Sequence, residues 1–350
     1  MEPAASATPQ PKAVIRPAID RSLRILLEHG GGKRGKTAVP EIPAELGKPS
    51  NVYGTLACAH VGGVIVLLLA SAPALAARRP AWLLVTAPLL GSYVHKLSII
   101  LHDCSHYSLF ASRRANRSVG SVAAALLGTT FDGFRVRHAE HHRRNGDLED
   151  PEGRIYVELS DASPARLVWQ LLNPLVGGPV LESVFGKARA RDGRPATVTA
   201  EASGSLMDRL VPVVVAQAAI ALLATRLGTR PGYALLYPAV TATFGVFFNR
   251  LRGFCEHLPP PDWCHGAFVR THLPNPVDSL LFYGVGMNWH LEHHLFPTVP
   301  SNKLPQVHAI LERDGFLGPE MTSKSVVGTV FRQLMKRARR SNGHGAASNA

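Results

Sequence analysis

The stretch Asn288-Trp289-His290-Leu291-Glu292-His293-His294-Leu295-Phe296-Pro297 decides how the rest of this sequence is interpreted. Its three histidines stand at positions i, i+3 and i+4, so on a helix their side chains lie on one face about one turn apart. Pro297 cannot continue the hydrogen bonding of that helix and is expected to end it. Three imidazoles placed in this way predict a metal site.

Two similar histidine motifs precede this stretch. The HxxHH spacing occurs a second time at residues 138–142, an HxxxH pair occupies residues 102–106, and an isolated histidine ends the sequence RGFCEH at residues 252–257. One tetrahedral zinc ion needs only about four ligands, so this larger set favours two transition-metal ions with open coordination positions. Imidazole alone does not select among iron, copper, zinc and nickel. The predicted metal ligands are His102, His106, His138, His141, His142, His257, His290, His293 and His294.

Four apolar stretches predict membrane spans at residues 55–77, 81–100, 210–227 and 233–248. Lysine and arginine concentrate in both terminal segments and in the central region, and few occur in the short turns between spans. The positive-inside rule therefore places both termini and the central region in the cytoplasm. The formal net charge of +13 is interpreted as this topology signal, and no nucleic-acid partner is expected.

Three other apolar stretches, at residues 119–134, 167–185 and 277–289, are short or interrupted by Gly, Pro or Asp. A span at any one of them would place the histidine motifs on opposite faces of the membrane. We therefore interpret them as interfacial or cytosolic helices. The predicted fold is all-α: an integral membrane protein with four transmembrane helices and a cytoplasmic helical cap that holds a histidine-rich di-metal site.

The predicted domain organisation has three parts. Residues 1–54 form a cytoplasmic N-terminal segment that is partly disordered and includes an amphipathic helix at 19–27, with no hydrophobic region typical of a signal peptide. Residues 55–315 form the membrane catalytic domain. Residues 316–350 form a basic tail, amphipathic to Arg340 and disordered from Ser341, that suits anionic lipid, an acidic partner or simple solvation. The scattered cysteines predict no disulfide.

The three boxes HDCSH, HAEHH and HLEHH, the last within NWHLEHHLFPTVP, resemble those of the integral-membrane fatty acid desaturase superfamily over about residues 55–310. This superfamily also contains hydroxylases and carotenoid ketolases. The resemblance implies a non-haem centre of two Fe ions, O2 as the oxidant, and electrons from a separate ferredoxin or cytochrome-type donor. It assigns the box histidines as iron ligands and His257 as a further ligand, with His265 and His272 as nearby alternatives. Some members place an asparagine four residues before the isolated histidine, where this chain has Gly253.

The leading functional hypothesis is a desaturase that introduces a double bond into an acyl chain carried by a membrane lipid, coenzyme A or a carrier protein. The alternative within the same di-iron type is a hydroxylase or ketolase that acts on a carotenoid or another lipophilic small molecule. A zinc metallopeptidase would require Glu where HDCSH has Asp103. A metal transporter would require histidines near the middle of the spans. The expected location is the cytoplasmic membrane of a bacterium, and the oligomeric state is not predicted.

Several other polar residues have predicted roles. Acidic residues close to the motifs can orient ligands by accepting the second imidazole N–H; they are Asp103, Glu140, Glu292 and either Asp147 or Asp150. His60 and His95 lie within the spans and are expected to be neutral packing residues. His29, His308 and His344 are expected to be exposed.

Overall fold

The computed structural model describes residues 13–18, 24, 39–185, 206–226, 231–260 and 268–347. The helix predicted at residues 19–27 lies outside this part of the chain except for Arg24, and so do residues 1–12 of the N-terminal segment that was predicted to be partly disordered. His29 and His265 are also outside the described residues.

Two long helices form the apolar part of the fold. α1 covers Asn51–Arg78 and α2 covers Leu83–Ser105, and the turn Pro80–Trp82 joins them. Both are long and apolar enough to cross a membrane, judged by length and composition. Large apolar side chains such as Leu56 and Leu84 stay exposed on them, as expected of helices that face lipid. These helices correspond to the first two predicted spans.

The third and fourth predicted spans are also helical, but they differ from the first two. α8 covers Leu206–Arg226, and its apolar part, Val211–Arg226, is shorter than the length required for a candidate span. The fourth stretch begins with a 3-10 turn and has a π-helical turn at Thr241–Gly245. The helical segments on either side of that turn are α9, Leu236–Val240, and α10, Val246–His257. α10 thus extends beyond the predicted span and ends at His257, one of the predicted metal ligands.

Close packing joins the fourth stretch to α2. A Cβ atom added at Gly91 would lie only 2.2 Å from the Cβ atom of Phe244. Glycine is therefore the residue that permits this approach between the two backbones.

The central region consists of short helices, and none of the three interrupted apolar stretches forms one continuous helix. The stretch at 119–134 is divided between two helices, and the stretch at 167–185 is broken by a 3-10 turn at Asn173–Val176. The helices are α3, Arg113–Leu126; α4, Phe131–Arg144; α5, Arg154–Glu158; α6, Pro164–Leu172; and α7, Gly178–Phe185.

The C-terminal region adds α11, Pro276–Leu281; α12, His290–Leu295; α13, Leu304–Arg313; and α14, Val326–Ala347. Two small strand pairs accompany the helices. β1, Val14–Ile15, is antiparallel to β2, Ile42–Pro43, and β3, Thr271–His272, is parallel to β4, Thr322–Ser323. The described chain is therefore mostly helical, as predicted.

α14 differs from the predicted tail in two respects. The helix continues to Ala347, beyond Ser341, from which the tail was predicted to be disordered. The Arg337 side chain is buried and donates a 2.8 Å hydrogen bond to the Ser160 carbonyl oxygen, so this part of the tail packs on the fold.

The short helix α12 is held by an apolar cluster. Leu291 and Leu295 are fully buried, and they share a core with Phe296 and with Leu304 and Val307 near the start of α13. Each such side chain contributes about 1.5–3 kcal/mol on burial. A six-residue helix would not persist alone in water, so this packing maintains it.

Candidate metal centre

The nine histidines predicted from the motifs meet in two groups, although they come from α2, α4, α10 and α12. Within each group, one nitrogen of every ring lies within 4.8 Å of the others. The five-histidine group is His102, His106, His138, His142 and His293. The four-histidine group is His141, His257, His290 and His294. Among the candidates for the ninth ligand, His257 joins a group, and His272 belongs to neither.

The two HxxHH motifs contribute to both groups in the same way. Residues i and i+4, such as His138 and His142, share one group, and residue i+3, His141, joins the other. On an α-helix, residue i+4 is rotated by only about 40° from residue i, whereas residue i+3 is rotated by about 60° in the opposite direction. The i+3 histidine of each helix therefore lies in the group that holds the i and i+4 histidines of the other helix. His141 of α4 lies with the pair from α12, and His293 of α12 lies with the pair from α4.

The distances between ring nitrogens fit ligands of a metal ion. His290 Nε2 lies 2.8 Å from His257 Nε2, and His294 Nε2 lies 3.1 Å from His290 Nε2. In the five-histidine group, His142 Nε2 lies 3.0–3.1 Å from two other Nε2 atoms. Nitrogens bound in adjacent positions to one ion, each at about 2.1 Å, are about 3.0 Å apart.

Unsatisfied nitrogen atoms support the same interpretation. The Nε2 atoms of His102 and His106 are buried and lack a hydrogen-bond partner. Buried polar atoms are nearly always satisfied in proteins, so a metal ion between these rings would supply the missing interaction. The side chains present therefore fit two metal ions.

Local structure places each histidine. His102 lies in the last turn of α2, and the backbone of Tyr107 (φ 56°) turns the chain immediately after His106. The Thr130 hydroxyl accepts a 3.3 Å hydrogen bond from Gly133 N and so begins α4. His257 is the last residue of α10.

Carboxylates orient three of the rings by accepting a hydrogen bond from Nδ1. His102 Nδ1 donates to Asp103 Oδ1 at 3.0 Å, and His141 Nδ1 donates to Asp150 Oδ2 at 2.9 Å. His138 Nδ1 donates to Glu152 Oε2 at 2.9 Å. Such contacts set the tautomer and leave Nε2 available as the ligand atom for a metal ion. Asp103 and Asp150 were among the acidic residues predicted to orient ligands, whereas Glu152 was not. The sequence feature that could have indicated Glu152 is its position at the end of the acidic run Asp147–Glu152.

The remaining predicted acids do not contact ligands in this way. Glu140 is paired with Arg143 and Arg144 at the surface, and Asp147 accepts a hydrogen bond from Glu149 N. Glu292 is fully buried between the ligands of α12 but orients none of them.

Glu292 instead ties α12 to its neighbours. One of its oxygens accepts a hydrogen bond from the Thr271 hydroxyl, and the other accepts one from His308 Nδ1 at 2.5 Å. His308 is only 8% exposed, so the prediction that it is a surface residue is wrong. Thr271 also accepts a hydrogen bond from Leu291 N at 3.1 Å, which links β3 to α12.

Burial determines the protonation of the site. Desolvation, followed by the neighbouring imidazoles, holds the pKa of His293 and His294 well below the usual value, so both rings are neutral, as metal ligation requires. Desolvation also lowers the pKa of His141, but the hydrogen bond and charge of Asp150 outweigh it and raise the pKa overall. Desolvation raises the pKa of Glu256 to about 8, against the opposing charge of Arg252.

A cavity of about 360 Å³ lies against both histidine groups. It touches histidines of each, and most of its other wall residues are polar, with Phe134 and Pro151 as apolar members. The polar wall residues are Ser98, Arg137, Glu152, Tyr156, Asn249, Arg252 and Glu256. Gly253 also faces the cavity, and a Cβ atom added there would lie 2.1 Å from the Tyr156 hydroxyl. The tyrosine therefore occupies the space beside the position where some desaturases have an asparagine.

The profile of the fatty acid desaturase family matches residues 48–322, a range that includes all three histidine motifs. The chain belongs to the fatty acid desaturase family. The resemblance seen in the motifs is thus confirmed.

Several curated relatives of this desaturase family member are similar over most of the matched region. The sphingolipid delta(4)-desaturase DES1 of Xenopus tropicalis is 29% identical over 247 residues, which cover 65% of this chain and 66% of that protein. The human sphingolipid delta(4)-desaturase/C4-monooxygenase DES2 is 29% identical over 248 residues, with the same coverage. A beta-carotene ketolase of Paracoccus sp. is 27% identical over 217 residues, which cover 60% of this chain and 72% of the ketolase. This chain therefore spans 66% of the length of the sphingolipid relatives, and the family supports an oxidoreductase.

Proposed function

We propose that this protein is a membrane-bound, O2-dependent di-iron desaturase that introduces a double bond into a hydrocarbon chain of a lipid. The observation that carries the proposal is the meeting of nine mostly buried imidazoles in groups of five and four, in a chain of the desaturase family. The family match and two apolar helices of membrane length support a lipid substrate and a membrane location.

The histidine groups would each hold one iron ion. Bound there, the iron pair would supply O2 activation and the oxidising power to remove hydrogen from an unactivated CH2 group. Asp103, Asp150 and Glu152 keep three of the rings in the orientation that ligation needs. Burial of the ligand nitrogens limits the access of water to the reacting centre.

The cavity favours a reacting carbon that lies close to a polar group of the lipid. A cavity built only for methylene groups would leave the largely buried Arg252 guanidinium, whose Nε has no hydrogen-bond partner, facing hydrocarbon, and unpaired buried polar groups are costly. A hydroxyl or amide oxygen near the reacting carbon would satisfy it. The sphingolipid names of two relatives agree with this choice, so a saturated sphingoid lipid is the first substrate to test, ahead of simple acyl chains on lipid, coenzyme A or a carrier protein.

The proposed arrangement in the membrane has four spans, with α1, α2, α8 and the helices from Pro231 to Val246 crossing the bilayer. Both termini and the iron site would then face the cytoplasm of a bacterium. Electrons would come from a separate ferredoxin or cytochrome-type donor. Arg339 and Arg340 are exposed on α14 and offer positive charge to an acidic donor.

The second candidate is an oxygenase of the same type, acting on a carotenoid or another lipophilic molecule as a hydroxylase or ketolase. The similarity to the Paracoccus ketolase, and the monooxygenase activity in the name of human DES2, favour keeping this candidate.

One experiment tests both candidates. The protein is purified, its iron content is measured, and it is placed in lipid bilayers with a ferredoxin or cytochrome reducing system and O2. Saturated ceramide, a phospholipid with saturated chains, and beta-carotene are supplied in parallel, and products are identified by mass spectrometry. We expect about two iron ions per chain and a lipid product lacking two hydrogens. Oxygenated beta-carotene with unchanged lipids would favour the second candidate, and turnover without O2 or iron would refute both.

A further inference from the structure

The two histidine groups are unequal, and the cavity lies beside the place where the smaller group is short of a ligand. One group has five imidazoles and the other has four. Iron and similar ions prefer more than four ligands and retain open positions for reaction. The cavity contacts three members of the smaller group, namely His141, His257 and His290. The residues that line the cavity are therefore the candidates for a further protein ligand of the ion in the four-histidine group.

Glu256 is the acidic residue in that place. It directly precedes His257 near the end of α10, lines the cavity, and is fully buried. Neither of its carboxylate oxygens has a hydrogen-bond partner. Every other carboxylate that lies close to the ligands does have one: Asp103, Asp150 and Glu152 bond to imidazoles, and Glu292 bonds to Thr271 and His308.

The position of Glu256 suits a ligand. Its Oε2 atom lies 3.5 Å from His290 Nε2, which is itself 2.8 Å from His257 Nε2 and 3.1 Å from His294 Nε2. Adjacent ligand atoms on one ion are about 3.0 Å apart, so Oε2 is about half an ångström too far from His290 Nε2 to be its neighbour on one ion. The carboxylate lies outside the set within 4.8 Å that the four histidine nitrogens form, and it would have to rotate towards them to bind the same ion.

The nearby arginine does not account for this buried carboxylate. Arg252 Nε lies 3.1 Å from Glu256 Oε2, but the pair is not aligned as a hydrogen bond, and Arg252 Nε is itself without a hydrogen-bond partner. A buried ion pair is favourable only when good geometry and additional hydrogen bonds satisfy both groups. The present pair leaves the carboxylate free to interact with a cation on its other side.

The distribution of negative charge points to the same conclusion. Among the described residues, two carboxylates accept hydrogen bonds from rings of the five-histidine group, Asp103 and Glu152, whereas Asp150 alone does so for the four-histidine group. Neutral imidazoles do not offset the charge of a buried divalent ion. A carboxylate at the smaller group would give each ion two acidic partners.

We propose that Glu256 is the fifth protein ligand of the metal ion held by His141, His257, His290 and His294. This inference rests on the proposed di-metal function, because it assigns a residue to one of the two ions. It makes the two sites chemically different: one has only imidazole ligands, and the other has a carboxylate beside the cavity.

The test measures metal binding directly. Metal-free wild-type protein and the variant Glu256→Gln are titrated with Co²⁺, and binding is followed by calorimetry and by the visible absorption of the ion. We expect two Co²⁺ per wild-type chain. In Glu256→Gln we expect one ion to bind as before, the second to bind at least about tenfold more weakly, and the absorption of the second ion to change. Glu140→Gln is the matched control, because Glu140 is also next to ligand histidines but pairs with surface arginines, and it should behave as the wild type.

The outcomes separate this inference from the proposed function. If the wild type binds fewer than two ions, the di-metal proposal itself fails. If the wild type binds two ions and Glu256→Gln binds both with unchanged affinity and absorption, Glu256 is only a partner of Arg252 and the ligand assignment is refuted. If Glu256→Gln does not fold, Glu256→Asp replaces it. The shorter carboxylate should weaken the second ion alone, and an unchanged second site would again refute the assignment.

Discussion

Glu140 and Glu292 occupy the same position in the two HxxHH motifs, yet the structure predicts opposite consequences for their removal. Glu292 is fully buried and accepts hydrogen bonds from the Thr271 hydroxyl and from His308 Nδ1. Glu140 is paired with Arg143 and Arg144, whose side chains are 63% and 30% exposed. We therefore expect Glu292→Ala to destabilise the protein strongly and Glu140→Ala to have little effect.

The expected magnitudes follow from these contacts. A hydrogen bond to a charged group contributes about 1.5–3 kcal/mol, so the loss of two from Glu292 costs about 3–6 kcal/mol. The exposed pairs of Glu140 contribute about 0–1 kcal/mol. With about 2 °C per kcal/mol for a large chain, Glu292→Ala should lower the Tm by roughly 6–12 °C. The bound iron should also decrease, because α12 carries three of the predicted ligands.

Thermal unfolding in detergent and metal analysis check this prediction. His308→Ala and the double variant complete a thermodynamic cycle, which isolates the interaction between Glu292 and His308 from the effect of shortening the side chain. We expect a coupling energy of about 1–3 kcal/mol. If Glu292→Ala and Glu140→Ala unfold at the same temperature with the same iron content, Glu292 does not support α12. Glu292→Gln provides the comparison if the alanine variant does not accumulate.

The remaining predictions concern a ligand, a buried histidine and the C-terminal helix. His293→Ala should abolish activity and reduce bound iron from about two to about one per chain, because it removes one member of the five-histidine group; full activity would contradict the ligand assignment. Desolvation lowers the pKa of His272 to about 3, whereas a histidine in the unfolded chain titrates near 6.5. Between these two values the unfolded state binds one more proton than the folded state. The free energy of unfolding therefore falls as the pH decreases below about 6.5. His272→Gln should therefore reduce the acid-induced loss of stability by about 1.4 kcal/mol per pH unit between about pH 6 and 4, and equal pH slopes in denaturant titrations would refute this account. Replacing Arg339 and Arg340 with Ala should raise the apparent KM for the electron donor. The double variant should lower the Tm less than Arg337→Ala does, because the Arg337 side chain is buried. An unchanged donor KM in the double variant would exclude this surface from donor binding.

The choice of candidate ligand residues depends mainly on local geometry, and for that reason these histidines could be identified from the sequence. Spacings of three and four residues bring side chains together on any α-helix, whatever surrounds it. The two long apolar helices were predictable for a similar reason, since spanning requires a run of apolar residues that is visible in the sequence. By contrast, the division of the fourth predicted span by a π-helical turn depends on its packing against α2 and had no comparable signal.

The partners of each residue are decided by contacts between segments that are far apart in sequence. His272 and His257 are 15 residues apart and both follow the apolar region, but only His257 is directed towards the other ligands. Glu152 acquires its role because the loop after α4 folds back onto His138. His308 was predicted to be exposed, and only the packing of α13 against α12 buries it beside Glu292.

The sequence by itself determined that this chain carries histidine motifs with metal-ligand spacing next to apolar helices of membrane length, because both properties follow from helical periodicity and composition. Only the tertiary structure decided which histidines lie together in one group. In each HxxHH motif, the histidines at i and i+4 lie in one group and the histidine at i+3 lies in the other. The physical reason is that a helix sets the angle between its own side chains, whereas the neighbours in each direction depend on how four separate helices pack.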